Sequence, residues 1–196
     1  TIVSSQMIDR VAQSLRKEVY EVPVGFKHFV DKLLHGEVGF SGEESAGSTF
    51  LRMNGEVWTT DKDAFVPSLL SAEMTAQLKK DPSEVYQTLT DKLGKPYYKR
   101  IDAPATLPQR EKLKNLKSSD IHFKSLAGEQ VENISTTASG NNESFGGIKI
   151  ETKNGWIAAR PSGTEDIYKI YGESFLSSEH LDGLLSEAQA TITNLL

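Results

Sequence analysis

Two apolar, β-prone runs, Trp156-Ile157-Ala158-Ala159 and Ile167-Tyr168-Lys169-Ile170-Tyr171, bracket the polar stretch Arg160-Pro161-Ser162-Gly163-Thr164-Glu165-Asp166. Upstream, Asn154-Gly155 joins the first run to another, Gly147–Thr152. Asn-Gly is the strongest short hairpin signal because both residues tolerate positive φ. The stretch therefore reads as strand, turn, strand, loop, strand. A guanidinium, two hydroxyls and a glycine fall within the last loop. Arg offers a planar fork of donors, Ser and Thr offer hydroxyls, and Gly lets backbone N–H groups come close, a set that suits a phosphate. The same residues also serve as a plain polar turn, with Pro and Gly shaping the backbone.

The strands downstream of Val131 define one region. Val131–Thr137, Gly147–Thr152, Trp156–Arg160 and Ile167–Phe175 predict a four-stranded antiparallel sheet, with helices at Leu107–Leu116 and Ser178–Leu196 on one side of it. In the last helix Leu181, Leu184, Leu185, Ala188, Ile192 and Leu195 form one stripe. This predicts a C-terminal α+β domain over 109–196.

The first half alternates differently. Thr1–Ser5 reads as a strand, followed by a helix to about Arg16 with Met7, Ile8, Val11, Ala12 and Leu15 at helical spacing. Glu18–Val24 is β-like, and Phe26–Leu34 is helical until Gly36. Glu37–Ser41 reads as a strand, and Ser48–Met53 with Glu56–Thr59 reads as a hairpin around Asn54-Gly55. Helical spacing returns at Phe65, Leu69, Leu70, Met74 and Leu78, and Asp81-Pro82-Ser83-Glu84 opens a further helix that ends at Gly94. Strands and helices in alternation predict an α/β domain over 1–96, a mixed sheet flanked by helices. Residues 97–108, rich in proline at Pro104 and Pro108, read as the linker between the two.

The composition limits the chemistry. The formal net charge is −5, which disfavours nucleic acid as a partner but leaves room for a small anion at a local basic loop. There is no cysteine, so disulfides, thiolate catalysis and Cys-ligated zinc are excluded, and a reducing compartment is fitting. No apolar run approaches the ~20 residues of a bilayer span. No signal peptide is read at the N-terminus. The chain starts without Met and directly on an apolar run, as expected of a piece of a longer protein.

A second polar loop, Gly42-Glu43-Glu44-Ser45-Ala46-Gly47, carries adjacent carboxylates between glycines. Each carboxylate offers two acceptor oxygens, which suits the vicinal hydroxyls of a sugar. A general acid/base pair, a metal site and a solvated turn are further readings. Lys27 and Lys62 fall at helix starts, where the helix dipole disfavours a cation. Such placement suits an anionic ligand, or simply a surface lysine with a flexible stem. His28, His35, His122 and His180 have no metal-ligand spacing.

Taken together, Gly42–Gly47 and Arg160–Thr164 resemble the loops of the α-D-phosphohexomutases, most closely the bacterial α-phosphoglucomutase branch. Val22-Pro23-Val24-Gly25-Phe26-Lys27, Trp58-Thr59-Thr60-Asp61-Lys62-Asp63 and the run Arg160–Phe175 are similar to that family too. The resemblance implies four domains around one cleft, with this chain as the third and fourth. It implies interconversion of glucose 1-phosphate and glucose 6-phosphate through a phosphoserine and a bound glucose 1,6-bisphosphate, with Mg²⁺ on a preceding domain and a cytoplasmic setting. The family's nucleophile loop and Asp-rich metal loop are not found in this sequence. Thr137-Ala138-Ser139-Gly140-Asn141 superficially resembles the former but lacks its His and stands in the wrong region.

Carried over residue by residue, the resemblance makes Glu43 and Ser45 the holders of the sugar O3 and O4 hydroxyls. It makes Arg160, Ser162, Gly163 and Thr164 the site of the non-reacting phosphate. Lys62 stands where the family has an active-site lysine that assists proton transfer or offsets charge. Gly25 and Lys27 lie on the neighbouring loop, with His28 beside them. The expected partners are a hexose phosphate and the N-terminal domains, and the chain alone is expected to be inactive. A stand-alone phosphosugar-binding module and a mutase for another hexose phosphate are the alternative readings.

Overall fold

A computed structural model describes residues 1–121 and 124–196, so His122 lies outside the described residues. Its largest element is a six-stranded antiparallel sheet. The strands are β3 (Tyr97–Pro104), β4 (Ser125–Leu126), β5 (Glu129–Thr137), β6 (Ser144–Thr152), β7 (Gly155–Pro161) and β8 (Ile167–Ser174), in the spatial order β3-β8-β7-β6-β5-β4. The predicted hairpin forms, but its bend is at Lys153-Asn154: Glu151 stands opposite Trp156, Gly155 already belongs to β7, and neither Asn154 nor Gly155 takes the positive φ of a tight Asn-Gly turn.

Alternation along the strands sorts the side chains to two faces. On one face Ile148, Ile150, Ile157, Ala159, Tyr168 and Ile170 pack with Leu113 of α5 (Leu107–Lys114) and with Leu181, Leu184, Leu185, Ala188 and Ile192 of α6 (Ser178–Leu195). Both helices lie on that face, as predicted. On the other face Trp156, Ala158, Tyr171 and Phe145 pack with Ile2 and Val3 from the start of the chain.

Most of the stretch read as a linker is a strand. Tyr97–Pro104 is strand β3, in register with β8 from Tyr97 opposite Ser174 to Pro104 opposite Ile167. It is an edge strand, where a terminal proline is tolerated because no further strand needs its missing N–H. With β4 it brings the sheet to six strands instead of four.

The first half is helical and sparse in strands. It holds α1 (Met7–Ser14), a 3₁₀ turn over Phe26–Phe29 continued by α2 (Val30–Leu34), α3 (Phe65–Leu78) and α4 (Pro82–Leu93). Asp81 caps α4, accepting from the Ser83 and Glu84 amides while the Glu84 side chain accepts from Asp81 N–H, a complete capping box. Among the described residues its only named strands are the antiparallel pair β1 (Phe40–Gly42) and β2 (Ser48–Phe50), extended by an isolated bridge from Leu51 to Val57. The predicted strands at Thr1–Ser5 and Glu18–Val24 do not form a ladder. They share one backbone bond, Ile2 N–H to Val22 C=O at 3.0 Å. Their apolar side chains are buried by other means, Ile2 and Val3 on the sheet face and Val22 with Phe26, Phe29 and Leu33. The helical spacing of α3 holds, yet none of its residues is buried, and Phe65 and Leu69 are largely exposed.

Polar contacts join the two halves. Lys149 on β6 reaches Glu21 at 2.6 Å, and Gly140 N–H donates to the Glu21 carbonyl at 2.8 Å. His28 stands 2.7 Å from Glu143. Trp156 Nε1 and the Gln6 amide both donate to Glu173.

Candidate functional site

Three of the residues singled out in the first half, Gly25, Ser45 and Lys62, converge on the carboxylate of a fourth, Glu43. The Glu43 side chain is only 4% exposed. Its Oε1 accepts from Gly25 N–H at 3.0 Å. Its Oε2 accepts from Ser45 Oγ at 3.2 Å and lies 2.7 Å from Lys62 Nζ. The loop achieves this with a tight turn: Glu43 N–H donates to Gly47 C=O, Ala46 N–H donates back to Glu43 C=O, and Ala46 takes a φ of 65°. Gly25, with φ of 128°, opens the 3₁₀ turn in a conformation that side-chain-bearing residues rarely adopt. The Lys62 stem lies against the bare Cα of Gly47, where a Cβ would stand 2.6 Å from Lys62 Cδ.

The hydrogen bond and charge of Glu43 hold the Lys62 ammonium above the usual lysine pKa. Lys62 is therefore a fixed cation at neutral pH. It can offset charge or release a proton, but it already carries the proton that a base would have to accept. Glu44 points elsewhere and accepts from Thr1 Oγ1 at 3.0 Å. Lys27 is exposed and has no ion-pair partner among the described residues. Next to it, His28 is turned towards Glu143.

The second loop connects β7 to β8. Arg160, Pro161, Ser162 and Gly163 border a cavity of about 370 Å³ together with Leu107, Arg110, Glu111 and Lys114 of α5 and with Phe145 and Gly146. Thr164 is exposed and stands outside that lining. Ser162 organises the loop. Its N–H donates to Ile167 C=O at 2.9 Å, closing the base, and its Oγ accepts from Glu165 N–H at 3.3 Å while donating to Glu165 Oε2 at 3.3 Å. Lys169 in turn pairs with Glu165 at 3.2 Å. Gly163 has open space where a side chain would stand. The Ser162 hydroxyl and the Ser162, Thr164 and Glu165 N–H groups are bonded within the loop, which leaves the Arg160 guanidinium and the Gly163 N–H to face an anion.

Two cations of this cavity, Arg110 and Lys114, escaped the sequence reading. Their signal was present as a basic pair four residues apart, which shares one helix face. Only the packing of α5 on β7 and β6 shows where that face points. None of Glu43, Ser45, Lys62, Gly25 and Lys27 borders the Arg160 cavity.

Family models match nearly the whole chain. Residues 1–93 match the phosphoglucomutase/phosphomannomutase α/β/α domain III, and residues 108–190 match the C-terminal domain of the same family. The chain belongs to the phosphoglucomutase/phosphomannomutase family. It is 53% identical over its full length to a phosphoglucomutase of Komagataeibacter xylinus, and spans 35% of that relative. A phosphoglucomutase-like protein 5 of Homo sapiens is 31% identical over half of the chain, which covers 16% of it. Among solved structures, parafusin (phosphoglucomutase) from Paramecium in its open form superposes with a TM-score of 0.69 at 20% identity, over 99% of this chain and 37% of that one. A phosphoglucomutase/phosphomannomutase family protein from Burkholderia thailandensis gives 0.60 at 18% identity, over 89% and 32%. These two likenesses support the fold. The chain thus carries domain III and the C-terminal domain of the family, and covers about a third of the length of the Komagataeibacter relative and of the two solved structures. No described helix is long and apolar enough to cross a membrane.

Proposed function

We propose that this chain is the C-terminal portion of a phosphoglucomutase and forms its substrate grip, with Glu43 and Ser45 on the sugar hydroxyls and the Arg160–Thr164 loop on the non-reacting phosphate. The observation that carries the reading is the convergence of Gly25, Ser45 and Lys62 on the nearly buried Glu43 carboxylate. Gly25 and Lys62 fix the carboxylate's position, and the flanking hydroxyl gives the loop both an acceptor and a donor. A 1-phosphate and a 6-phosphate must each be presented to the same reacting group, so the sugar has to bind in two orientations. A carboxylate and a hydroxyl on two equatorial hydroxyls can hold both orientations nearly alike.

Holding the remote phosphate at Arg160, Ser162, Gly163 and Thr164 turns binding energy into positioning of the reacting end. Lys62 supplies positive charge near the sugar, which suits a phosphoryl transfer whose catalysis is mostly positioning and electrostatics. Lys27 would join only once a ligand draws it in. The reacting serine and the Mg²⁺ site are assigned to the remainder of the enzyme. Among the described residues no group of three or more His, Asp or Glu side chains is placed to hold a metal ion.

The test is a titration of the ¹⁵N-labelled chain with glucose 1-phosphate, and separately with mannose 1-phosphate and glucosamine 6-phosphate. Amide shifts in 42–47 and in 160–164, largest for the glucose ester, are expected. No shift at millimolar ligand, or shifts confined to other residues, would overturn the reading. Equal response to all three sugars would favour a mutase of broader substrate range. Turnover restored by adding the N-terminal domains in trans would separate an enzyme portion from a free-standing binding module.

A further inference from the structure

Arg110 is the most buried charged side chain bordering the Arg160 cavity for which the reading above has no use. Its side chain is 17% exposed. Nη2 donates to Asp166 Oδ1 at 2.6 Å, and Nη1 donates to the backbone carbonyl of Ser162 at 3.4 Å. Nε is buried without a hydrogen-bond partner. One guanidinium therefore spans the loop from Ser162 to Asp166. The chain on the other side of the same junction is tied as well, since Ala105 N–H donates to Asp166 C=O at 3.0 Å, just before α5 begins.

Stability alone explains this poorly. The Asp166 side chain is 89% exposed, and ion pairs with an exposed partner contribute little. A buried N–H without a partner is unfavourable. What the arrangement does provide is geometry. Arg110 and Lys114 border the cavity with Arg160, Ser162 and Gly163, so α5 and the loop line one recess, in which three cations outnumber the single carboxylate of Glu111. A planar fork bonded at both ends of a five-residue loop fixes the width of that loop in a way that a flexible ammonium cannot.

We infer that Arg110 is a positioning residue for the anion loop, holding Ser162 and Asp166 at the separation in which Arg160, Ser162 and Gly163 border a recess for a sugar-borne phosphoryl group. This rests on the phosphate reading of the loop. Asp166, although negative and next to an anion site, aids binding because it anchors Arg110.

The sign of the Asp166 effect makes the inference testable. Arg110→Lys, Asp166→Ala and the double variant are made in the 196-residue chain. Affinity for glucose 1-phosphate and for inorganic phosphate is read by NMR titration. Amide hydrogen exchange of residues 163–166 is read without ligand, and exchange in α6 reports that the fold is intact. Each single variant is expected to weaken phosphate affinity by about tenfold, the scale of one charge-assisted hydrogen bond. The double variant is expected to be no weaker than the singles, because both remove one contact. Exchange at 163–166 is expected to rise in all three.

If Arg110 served only as a positive charge, Arg110→Lys would bind like the parent and Asp166→Ala would bind more tightly. Either result overturns the inference. If the parent chain binds neither ligand, the phosphate reading fails. Exchange at 163–166 then decides the positioning role by itself, and unchanged exchange in Arg110→Lys and Asp166→Ala overturns it.

Discussion

The ammonium of Lys62 stands 2.7 Å from Oε2 of Glu43, joining a half-exposed cation to a carboxylate that is nearly withdrawn from water. The two residues belong to different loops. Lys62 comes from the segment before α3, and Glu43 from the turn between β1 and β2. Their pairing fixes the carboxylate proposed to hold the sugar.

The first prediction concerns the protonation of that lysine. Glu43 raises the Lys62 pKa, so the pairing is fully present below the ordinary lysine value of 10.5 and is lost as pH rises through the higher folded-state value. Glu43→Gln removes the charge and should return Lys62 to a lower pKa, followed by the ¹³Cε shift in an NMR titration. A Lys62 titration identical in the two proteins would show that the pair does not form in solution.

Gly47→Ala tests the same pair by crowding it. The new Cβ would lie 2.6 to 2.8 Å from three carbons of the Lys62 stem. A lysine stem moves readily, so the melting temperature should change little while Lys62 leaves Glu43. Sugar phosphate affinity should fall several-fold with the fold intact. A variant that binds like its parent would remove Lys62 from the grip.

In the loop proposed to hold phosphate, Arg160→Lys keeps the charge and loses the fork, and a roughly tenfold weaker phosphate affinity is expected. Gly163→Ala meets open space, so the protein should remain as stable as its parent. Weaker phosphate binding by this variant would report close approach of the backbone to the ligand. Unchanged binding by both variants would assign the phosphate elsewhere.

Lys149 offers a stability prediction. Its side chain is 5% exposed, 2.6 Å from Glu21 and 3.5 Å from Glu151. Burial pushes its ammonium pKa down, but the two carboxylates outweigh burial and hold it above the ordinary value. Its contribution is therefore complete below pH 10.5 and is lost as pH rises through the folded-state value. Lys149→Met leaves Glu21 and Glu151 without their cation and should cost about 3 kcal/mol, the low end for a broken buried pair because Glu21 is partly exposed. Urea denaturation at pH 7 measures this. A cost below about 1 kcal/mol, the range of surface pairs, would show the pair to be solvated.

Much of the architecture was legible in local patterns. Asn154-Gly155 between apolar runs marked the β6–β7 hairpin, Asp81-Pro82-Ser83-Glu84 and Gly94 marked both ends of α4, and the leucine stripe marked α6. These signals act within a few residues, where φ preferences, capping hydrogen bonds and the 3.6-residue period operate. Strand β3 was hidden because it is an edge strand with several exposed residues, flanked by Pro96 and ending at Pro104. Its partner β8 lies some seventy residues on. Ile2 and Val3 were hidden for a related reason. Adjacent buried residues look like a strand, yet here they cover the face of a sheet formed much later in the chain.

The sequence by itself determined the residue types of two polar loops, the order of most helices and strands, and the likeness to a family. Only the tertiary structure decided that Gly25, Ser45 and Lys62 meet on Glu43, and that Arg110 bridges Ser162 and Asp166. Local spacing sets which way a backbone turns. Ser45 is only two residues from Glu43, but the other partners depend on packing between segments 18 to 56 residues apart, and no short-range pattern encodes that distance.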